Sequence, residues 1–110
     1  MRDDRQRILD ILEAIEKIEK HTCGGKTAFE EDELIQTWVV YHLQIIGEAA
    51  SKISDAGKEK YSAVPWRKII GMRNTLVHGY FGVDADVVWA AVKNDLPALK
   101  ESLGNPPLPL

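Results

Sequence analysis

Cysteine and long apolar runs are both scarce in this chain of 110 residues, and each scarcity excludes a class of protein. Cys23 is the single cysteine, so no disulfide can form within the chain, as expected for a reducing compartment. No segment approaches the roughly 18 consecutive apolar residues of a membrane-spanning helix. The N-terminal sequence MRDDRQRILD alternates charges where a secretory signal would carry an apolar run. We therefore expect a cytoplasmic protein with no membrane partner.

The alternation typical of β-strands is also missing, and the apolar residues follow helical spacing instead. The sequence predicts an all-α fold, an up-and-down bundle of four main helices. Helix one runs from residue 3 or 4 to about 20, helix two from about 30 to 56, helix three from 65 to about 78, and helix four from 84 to 104. Residues 1–104 would form one helical domain, and the proline-rich residues 105–110 a flexible tail.

The connections follow from glycine and proline. The pair Gly24 and Gly25 predicts a loop over residues 21–29, because glycine stops a helix through its backbone freedom. Residues 55–64 are predicted to form a loop or a short turn before Pro65. Pro97 is expected to bend or restart helix four.

Helix two is apolar over more than one stripe, since Leu34, Tyr41 and Ile45 extend the apolar surface beyond the core face. A helix this broadly apolar is either central in its bundle or in contact with a partner. We expect a homodimer with helices two and three near the twofold axis. Three polar residues interrupt the surface, as edge residues of the core face or as supports for a site. They are His42, Gln44 and Glu48.

Two short patterns near the glycine pair are weak indications of chemistry. The letters GKT at residues 25–27 look like the end of a phosphate-binding P-loop, but Lys20 stands where the first glycine should be, and no strand precedes it. His21 and Cys23 lack a second pair of ligands. We expect ordinary surface residues here and no bound metal.

The net charge of −3 argues against non-specific nucleic-acid binding by the whole surface, but charge is unevenly distributed along the chain. Between residues 57 and 80, five basic residues accompany one acid, Glu59, a local charge of +4 that leaves −7 for the remainder (−3 − 4). A polyanion would be drawn to that segment alone. The five basic residues are Lys58, Lys60, Arg67, Lys68 and Arg73.

The stretch IIGMRNTLVHGY, residues 69–80, differs from the rest of the chain because it holds Arg73, Asn74, His78 and Tyr80 close together. A guanidinium binds phosphate in a planar fork and an imidazole transfers protons near neutral pH, so the pair suits cleavage of a phosphodiester. On a continuous helix Arg73 and His78 lie about 140° apart, so a loosened helix, the reach of the arginine or a groove between subunits must bring them together. Alternatively, Arg73 pairs with a helix-two carboxylate and His78 caps a helix C-terminus.

The string RNTLVHGYFGVD, residues 73–84, resembles the R-x-x-x-x-H-x-Y signature of the HEPN superfamily, in the branch of HepT-like toxins. The segments PWRKIIGMRN, VVWAAVKNDLPALKESL and YHLQIIGEAA resemble the same branch, so the likeness covers nearly the whole chain. It implies a helical homodimer that acts as a metal-independent endoribonuclease without a cofactor. It also implies a minimal nucleotidyltransferase antitoxin that binds the toxin and adenylylates the motif tyrosine. By this resemblance Arg73 and His78 would be catalytic, Asn74 would support the site, and Tyr80 would be modified.

RNA cleavage without a metal would use the neighbouring 2′-hydroxyl as nucleophile, which requires a base, an acid and positive charge at the phosphoryl oxygens. One His78 per chain cannot easily be base and acid in one step, so a twofold dimer with two histidines and two arginines fits the reaction. Two other hypotheses remain open. One is a non-catalytic helical subunit that binds a nucleotidyltransferase and presents nucleotide to it, and the other is a plain dimerisation bundle. Tyr80 could likewise pack its ring against helix four instead of being modified.

Overall fold

A computed structural model describes residues 2–73 and 84–104 of the chain. Every regular element within these residues is helical, which confirms the predicted all-α fold. Four of the described helices have seven residues or more. In chain order the elements are α1 (Asp4–Thr22), α2 (Gly25–Glu31), α3 (Glu33–Ser51), α4 (Asp55–Lys60), α5 (Trp66–Gly71), α6 (Ala85–Ala90), a π-helical turn (Ala91–Asp95) and α7 (Leu96–Gly104).

The core lies chiefly between α1 and α3, the two long helices. Helix one was predicted to within two residues, and its start is fixed by a capping box in which the Asp3 side chain accepts a hydrogen bond from the Gln6 backbone N–H at 2.9 Å. The apolar stripe of α1 is buried, with Leu12 partly so. Its buried isoleucines are Ile8, Ile11, Ile15 and Ile18.

The predicted loop over residues 21–29 was wrong, because α2 begins at Gly25. Gly25 has φ of 90°, a left-handed conformation that glycine adopts at little cost, and it turns the chain from α1 into the next helix. Phe29 stabilises the short helix, because it is fully buried and packs against Trp89, with 5.4 Å between ring centroids. The Gln36 amide then donates to the Phe29 carbonyl at 3.0 Å and so secures the end of α2.

Helix two was predicted to run from about 30 to 56, and the structure divides that range. Asp32 caps α3, accepting from the backbone N–H of Leu34 at 2.9 Å, so α2 and α3 are separate helices. At the other end α3 stops at Ser51, and a second capping residue, Ser54, starts α4. The apolar periodicity continues across this break, because Ile53 is buried even though it lies outside both helices. Periodicity alone therefore could not locate the break.

Asp4 in the first turn of α1 ties that helix to the start of α4. Its carboxylate accepts hydrogen bonds from the Ser54 backbone N–H at 2.9 Å and from the Ser54 hydroxyl. The Ser54 hydroxyl oxygen in turn accepts from the Gly57 N–H at 3.0 Å. These hydrogen bonds from Ser54 lower the pKa of Asp4 below its ordinary value, since they favour the charged carboxylate.

Replacing Asp4 by asparagine should lower the free energy of unfolding by about 1 kcal/mol at neutral pH, because the charge-assisted hydrogen bonds to Ser54 are weakened. The stabilisation by the carboxylate is present above the pKa of the unfolded state and is lost as pH falls through the lower folded-state pKa. Urea unfolding at pH 7 and in a series below pH 4 should show the difference between wild type and Asp4→Asn shrinking with acid. Glu59→Gln, at an exposed position of the same region, is the control. If both substitutions lowered the free energy of unfolding equally, the stabilising role of the Asp4–Ser54 hydrogen bonds would be contradicted.

The short helix α5 ends at Gly71, so helix three does not run unbroken from 65 to about 78 as predicted. Its position is set by Trp66, whose indole N–H donates to the carbonyls of Lys58 and Tyr61, each at 3.1 Å. Ile69, about one turn further along α5, is fully buried. These anchors hold α5 with its C-terminal end against α3.

The predicted restart of helix four at Pro97 is confirmed in the form of a π-helical turn. Asp84 caps α6, as predicted, by accepting from the Val87 N–H at 3.3 Å. The π-helical turn comes directly before α7, in which Pro97 is the second residue. Because proline lacks an N–H and its ring crowds the carbonyl four residues earlier, a locally wider turn relieves the clash. Buried leucines of α7 close the core at Leu96, Leu99 and Leu103.

Candidate functional site

Arg73 is the only one of the four predicted site residues within the described chain; Asn74, His78 and Tyr80 lie outside it. Arg73 follows the last turn of α5, where its backbone N–H donates to the carbonyl of Ile70 at 3.3 Å. The side chain is 38% exposed. The guanidinium is therefore accessible to a ligand, while its backbone belongs to a fixed helix end.

Gly47 allows α3 and the end of α5 to touch at this point. It is buried, and a Cβ at this position would lie 2.8 Å from the Arg73 backbone nitrogen and 3.1 Å from the Ile70 carbonyl oxygen. Both are backbone atoms, which cannot move aside as a flexible side chain can. Only glycine lets the backbone of Arg73 lie directly on α3.

The next residue of α3, Glu48, holds the guanidinium itself. Its carboxylate accepts a hydrogen bond from Arg73 Nη1 at 3.2 Å, and Lys52 lies on the other side of the same carboxylate at 3.6 Å. The sequence had left open that Arg73 pairs with a helix-two carboxylate, and that pairing is confirmed. Both side chains are substantially exposed, so the ion pair by itself contributes little to stability. Its effect is on where the guanidinium points.

Arg73 and Glu48 border an open depression of about 530 Å³ on the surface of α3. Tyr41, Gln44 and Ile45 form the rest of its lining. The Gln44 side chain is exposed and makes no hydrogen bond with the described residues. The depression thus combines a cation, a carboxylate, an amide and an aromatic ring, a mixture that suits a polar ligand with a phosphate and a flat ring.

His42 is a core residue, which resolves one of the alternatives for the polar residues of helix two. It is 4% exposed, and its Nδ1 lies 2.8 Å from the Trp38 carbonyl oxygen. The imidazole is packed between two rings, with centroid distances of 4.3 Å to Trp38 and 5.1 Å to Tyr41. Gln44 and Glu48, by contrast, are exposed at the depression.

An apolar stripe on α3 leads to the same depression. Leu34 is 82% exposed, Trp38 38% and Tyr41 60%, and the partly buried Ile45 completes a run at helical spacing. The sideways extension of the apolar surface predicted from sequence is therefore present and is open to solvent. No described residue of this chain covers Leu34 or Tyr41.

Two of the five clustered basic residues have acidic partners. Lys68 contacts Asp95 at 2.9 Å and Arg73 contacts Glu48, so the positive charge predicted for residues 57–80 is partly neutralised. Arg67 is exposed in the first turn of α5, and no described residue forms an ion pair with it. The attraction for a polyanion is thus more local than the sequence indicates.

The residues of the two weak patterns lie at the end of α1, in the turn that follows it and at the start of α2. Lys26 lies in the first turn of α2 and pairs with Asp86 at 3.4 Å, so residues 25–27 form a helix start rather than a phosphate loop. His21 packs edge-on against Trp38 with 5.1 Å between ring centroids, and Cys23 is exposed. Among residues 2–73 and 84–104, no group of three or more histidine, cysteine or acidic side chains is placed to hold a metal ion.

The sequence pattern pointed to Arg73 but missed Gly47. The signal available was a glycine directly after Ile45 and Ile46 inside a long helix, since a glycine within a helical pattern can mark the close approach of another segment. The contacting segment could not be identified from the sequence, because residues 47 and 73 are far apart in the chain.

The described all-α fold, with four helices of seven residues or more, is that of an HEPN-like helical domain. The sequence model of the family described as "Ribonuclease HepT-like" matches residues 11–105. The chain therefore belongs to the HepT-like ribonuclease family, which confirms the resemblance found from its motifs.

Curated relatives agree with this assignment. The chain is 42% identical over 102 residues to a protein of Thermococcus cleftensis named "Probable ribonuclease HepT", covering 90% of this chain and 91% of the relative. It is 36% identical over 103 residues to a protein of Methanocaldococcus jannaschii named "Putative RNase", covering 93% and 94% of the two chains. No solved structure gave a significant match. None of the helices in the described part of the chain has the length and apolar character needed to cross a membrane.

Proposed function

We propose that this protein is the toxin of a toxin–antitoxin pair and cleaves RNA, without a metal, at a site shared by two subunits. The observation that carries the proposal is the Arg73 guanidinium, held at an open depression in a chain of a ribonuclease family. The chain matches two relatives, whose names describe them as a probable ribonuclease and a putative RNase, along nearly their whole length. These matches support the class of reaction. Arg73, His78 and Asn74 are the proposed catalytic residues.

In the proposed reaction the 2′-hydroxyl next to the scissile phosphate attacks the phosphorus, and the 5′-oxygen of the following nucleotide leaves. A histidine takes the proton of the 2′-hydroxyl and another gives a proton to the leaving oxygen. Arg73 binds the phosphoryl oxygens, whose negative charge grows in the transition state. The products are a 2′,3′-cyclic phosphate and a 5′-hydroxyl, and neither bond change requires a redox partner or a cofactor.

A second copy of the chain supplies the second histidine and arginine. The apolar stripe of Leu34, Trp38, Tyr41 and Ile45 is the surface proposed for the dimer contact, since it is exposed and adjoins Arg73. Tyr41 and Glu48 are seven residues apart, about 10 Å along a helix. Because Arg73 pairs with Glu48, an axis at Tyr41 would place the two arginines about 20 Å apart. The twofold axis must therefore pass close to the Ile45 end of the stripe.

Substituting Ile45 by lysine should convert the dimer to a monomer and abolish cleavage, because a charge would be buried at the proposed contact. Multi-angle light scattering at micromolar concentration should give twice the chain mass for wild type and the single mass for Ile45→Lys. Leu9→Lys is the matched control, since Leu9 is 52% exposed on α1, away from the stripe. A monomeric wild type, or an Ile45→Lys dimer that still cleaves, would contradict the composite site.

The proposed antitoxin partner is a minimal nucleotidyltransferase that transfers AMP to Tyr80. Tyr80 lies two residues after His78 in the motif, so an attached nucleotide would bring bulk and a negative phosphate near the catalytic groups. The acidic remainder of the surface suits a protein partner, and the basic segment suits RNA.

The function is tested by expressing wild type and His78→Ala in a sensitive host and examining total RNA. Growth arrest with RNA fragmentation is expected for wild type alone. Toxicity of both forms would mean that the effect does not depend on catalysis, and harmlessness of both would favour a non-catalytic partner subunit.

A further inference from the structure

We infer that Glu48 and Gly47 together form a seat on α3 that positions Arg73 for phosphate binding, so that both act in catalysis through the arginine. The inference rests on the proposed ribonuclease function. It assigns to Glu48 a role different from that of a surface ion pair or of a group that touches RNA. The seat has two parts, one for the backbone of Arg73 and one for its guanidinium.

The backbone part is the contact at Gly47. Because a Cβ there would lie 2.8 Å from the Arg73 nitrogen, any larger residue must push Arg73 away from α3. Arg73 is also tied to the end of α5 by its N–H bond to the Ile70 carbonyl, and that carbonyl lies 3.1 Å from the same Cβ position. A displacement of the backbone would therefore move the whole helix end and carry the guanidinium with it.

The guanidinium part is the hydrogen bond from Nη1 to the Glu48 carboxylate at 3.2 Å. A guanidinium has five N–H groups in a rigid plane, so a hydrogen bond from one nitrogen restricts where the group lies and leaves other donors for a second acceptor. No other described residue accepts a hydrogen bond from those remaining donors. As far as residues 2–73 and 84–104 are concerned, these donors remain available to a phosphate in the adjoining depression.

Lys52 limits the electrostatic cost of placing a carboxylate beside a phosphate site. It contacts the Glu48 oxygen that does not face Arg73, at 3.6 Å, so one anion lies between two cations. The group as a whole carries a net positive charge. A phosphate approaching Arg73 consequently meets attraction rather than repulsion.

The opposite role for Glu48 predicts an opposite result. If the carboxylate competed with RNA for Arg73, removing it would free the arginine and raise the cleavage rate. If it positions Arg73, removing it should lower the single-turnover rate constant about 10- to 100-fold, since small errors in the placement of a catalytic group have effects of this order. Binding of a non-cleavable 2′-O-methyl RNA should change by less than about threefold, because the cation remains.

The variants are Glu48→Ala, Glu48→Gln and Gly47→Ala, measured as purified full-length protein. Glu48→Gln retains a hydrogen-bond acceptor and should recover most of the rate lost in Glu48→Ala. Gly47→Ala should lose rate as Glu48→Ala does. Glu19→Ala removes an exposed carboxylate that pairs with Lys100 at 2.8 Å and does not contact Arg73, and it is the matched control; its rate should stay within about threefold of wild type.

A readout independent of cleavage keeps this inference separate from the ribonuclease proposal. The side-chain ¹H–¹⁵N resonances of Arg73, assigned by their loss in Arg73→Ala, should shift or broaden in Glu48→Ala and Gly47→Ala and remain in Glu19→Ala. Unchanged resonances, or a cleavage rate that is equal or higher in Glu48→Ala, would overturn the seat. If the variants show the resonance changes but the wild-type protein cleaves no RNA, the proposed function is overturned and the positioning of Arg73 by Gly47 and Glu48 still holds.

Discussion

Replacing His78 by alanine is expected to reduce RNA cleavage by a factor of about 100 or more, because the reaction loses the group that moves protons at the 2′-hydroxyl and the leaving oxygen. Arg73→Ala should cause a loss of similar size by removing the charge that stabilises the phosphoryl oxygens. The measurement is the initial rate of cleavage of a labelled single-stranded RNA by purified protein. Circular dichroism and light scattering should report an unchanged fold and dimer for both variants.

Matched controls separate a loss of chemistry from a general effect of removing a histidine or an arginine. His21 is exposed beside Trp38, and Arg5 is exposed on α1. His21→Ala and Arg5→Ala should both cleave at nearly the wild-type rate. Cleavage that persists in His78→Ala and Arg73→Ala would refute the proposed mechanism.

Modification of Tyr80 should abolish cleavage as completely as the loss of His78. An attached AMP places a phosphate where Arg73 would otherwise bind RNA, and it neutralises the charge that attracts the substrate. The experiment is co-expression with a minimal nucleotidyltransferase encoded next to this chain, followed by intact-mass measurement and peptide mapping. The expected product carries one or more AMP units on Tyr80 and has lost ribonuclease activity.

Tyr80→Phe is the decisive comparison for that modification, because it removes the acceptor oxygen and keeps the ring. It should remain unmodified and, if it folds and cleaves, should stay active when co-expressed with the transferase. An inhibited complex with unmodified Tyr80 would mean that control operates by binding alone. AMP on another tyrosine, such as the exposed Tyr41, would assign the modification to a different surface.

The long helices could be predicted from sequence because their signals are redundant. In α1 a capping residue and four buried isoleucines indicate the same element. The short elements were missed for a physical reason. The helix α2 has seven residues and depends on burial of Phe29 against Trp89, a contact between distant parts of the chain. A glycine pair that usually predicts a loop could not reveal it.

The sequence pattern indicated Arg73 as a site residue but not the arrangement of the residues around it. The motif pointed to Arg73, and the carboxylate partner had been considered without being identified. That Glu48 is the partner follows from the close contact at Gly47, which sets the side of α3 on which Arg73 lies. The angle of about 140° between Arg73 and His78 was calculated for a continuous helix, whereas α5 ends at Gly71. The positions of Asn74, His78 and Tyr80 relative to Arg73 lie outside the described residues.

We propose that this chain cleaves RNA by itself, through the 2′-hydroxyl and without a metal. The most direct measurement incubates the purified protein with a single-stranded RNA in the presence of a chelator and analyses the product ends. We expect wild type to form fragments with 2′,3′-cyclic phosphate and 5′-hydroxyl ends. His78→Ala should form none, and an all-2′-deoxy oligonucleotide should not be cleaved. Absence of cleavage, its arrest by the chelator, or equal cleavage by His78→Ala would contradict it.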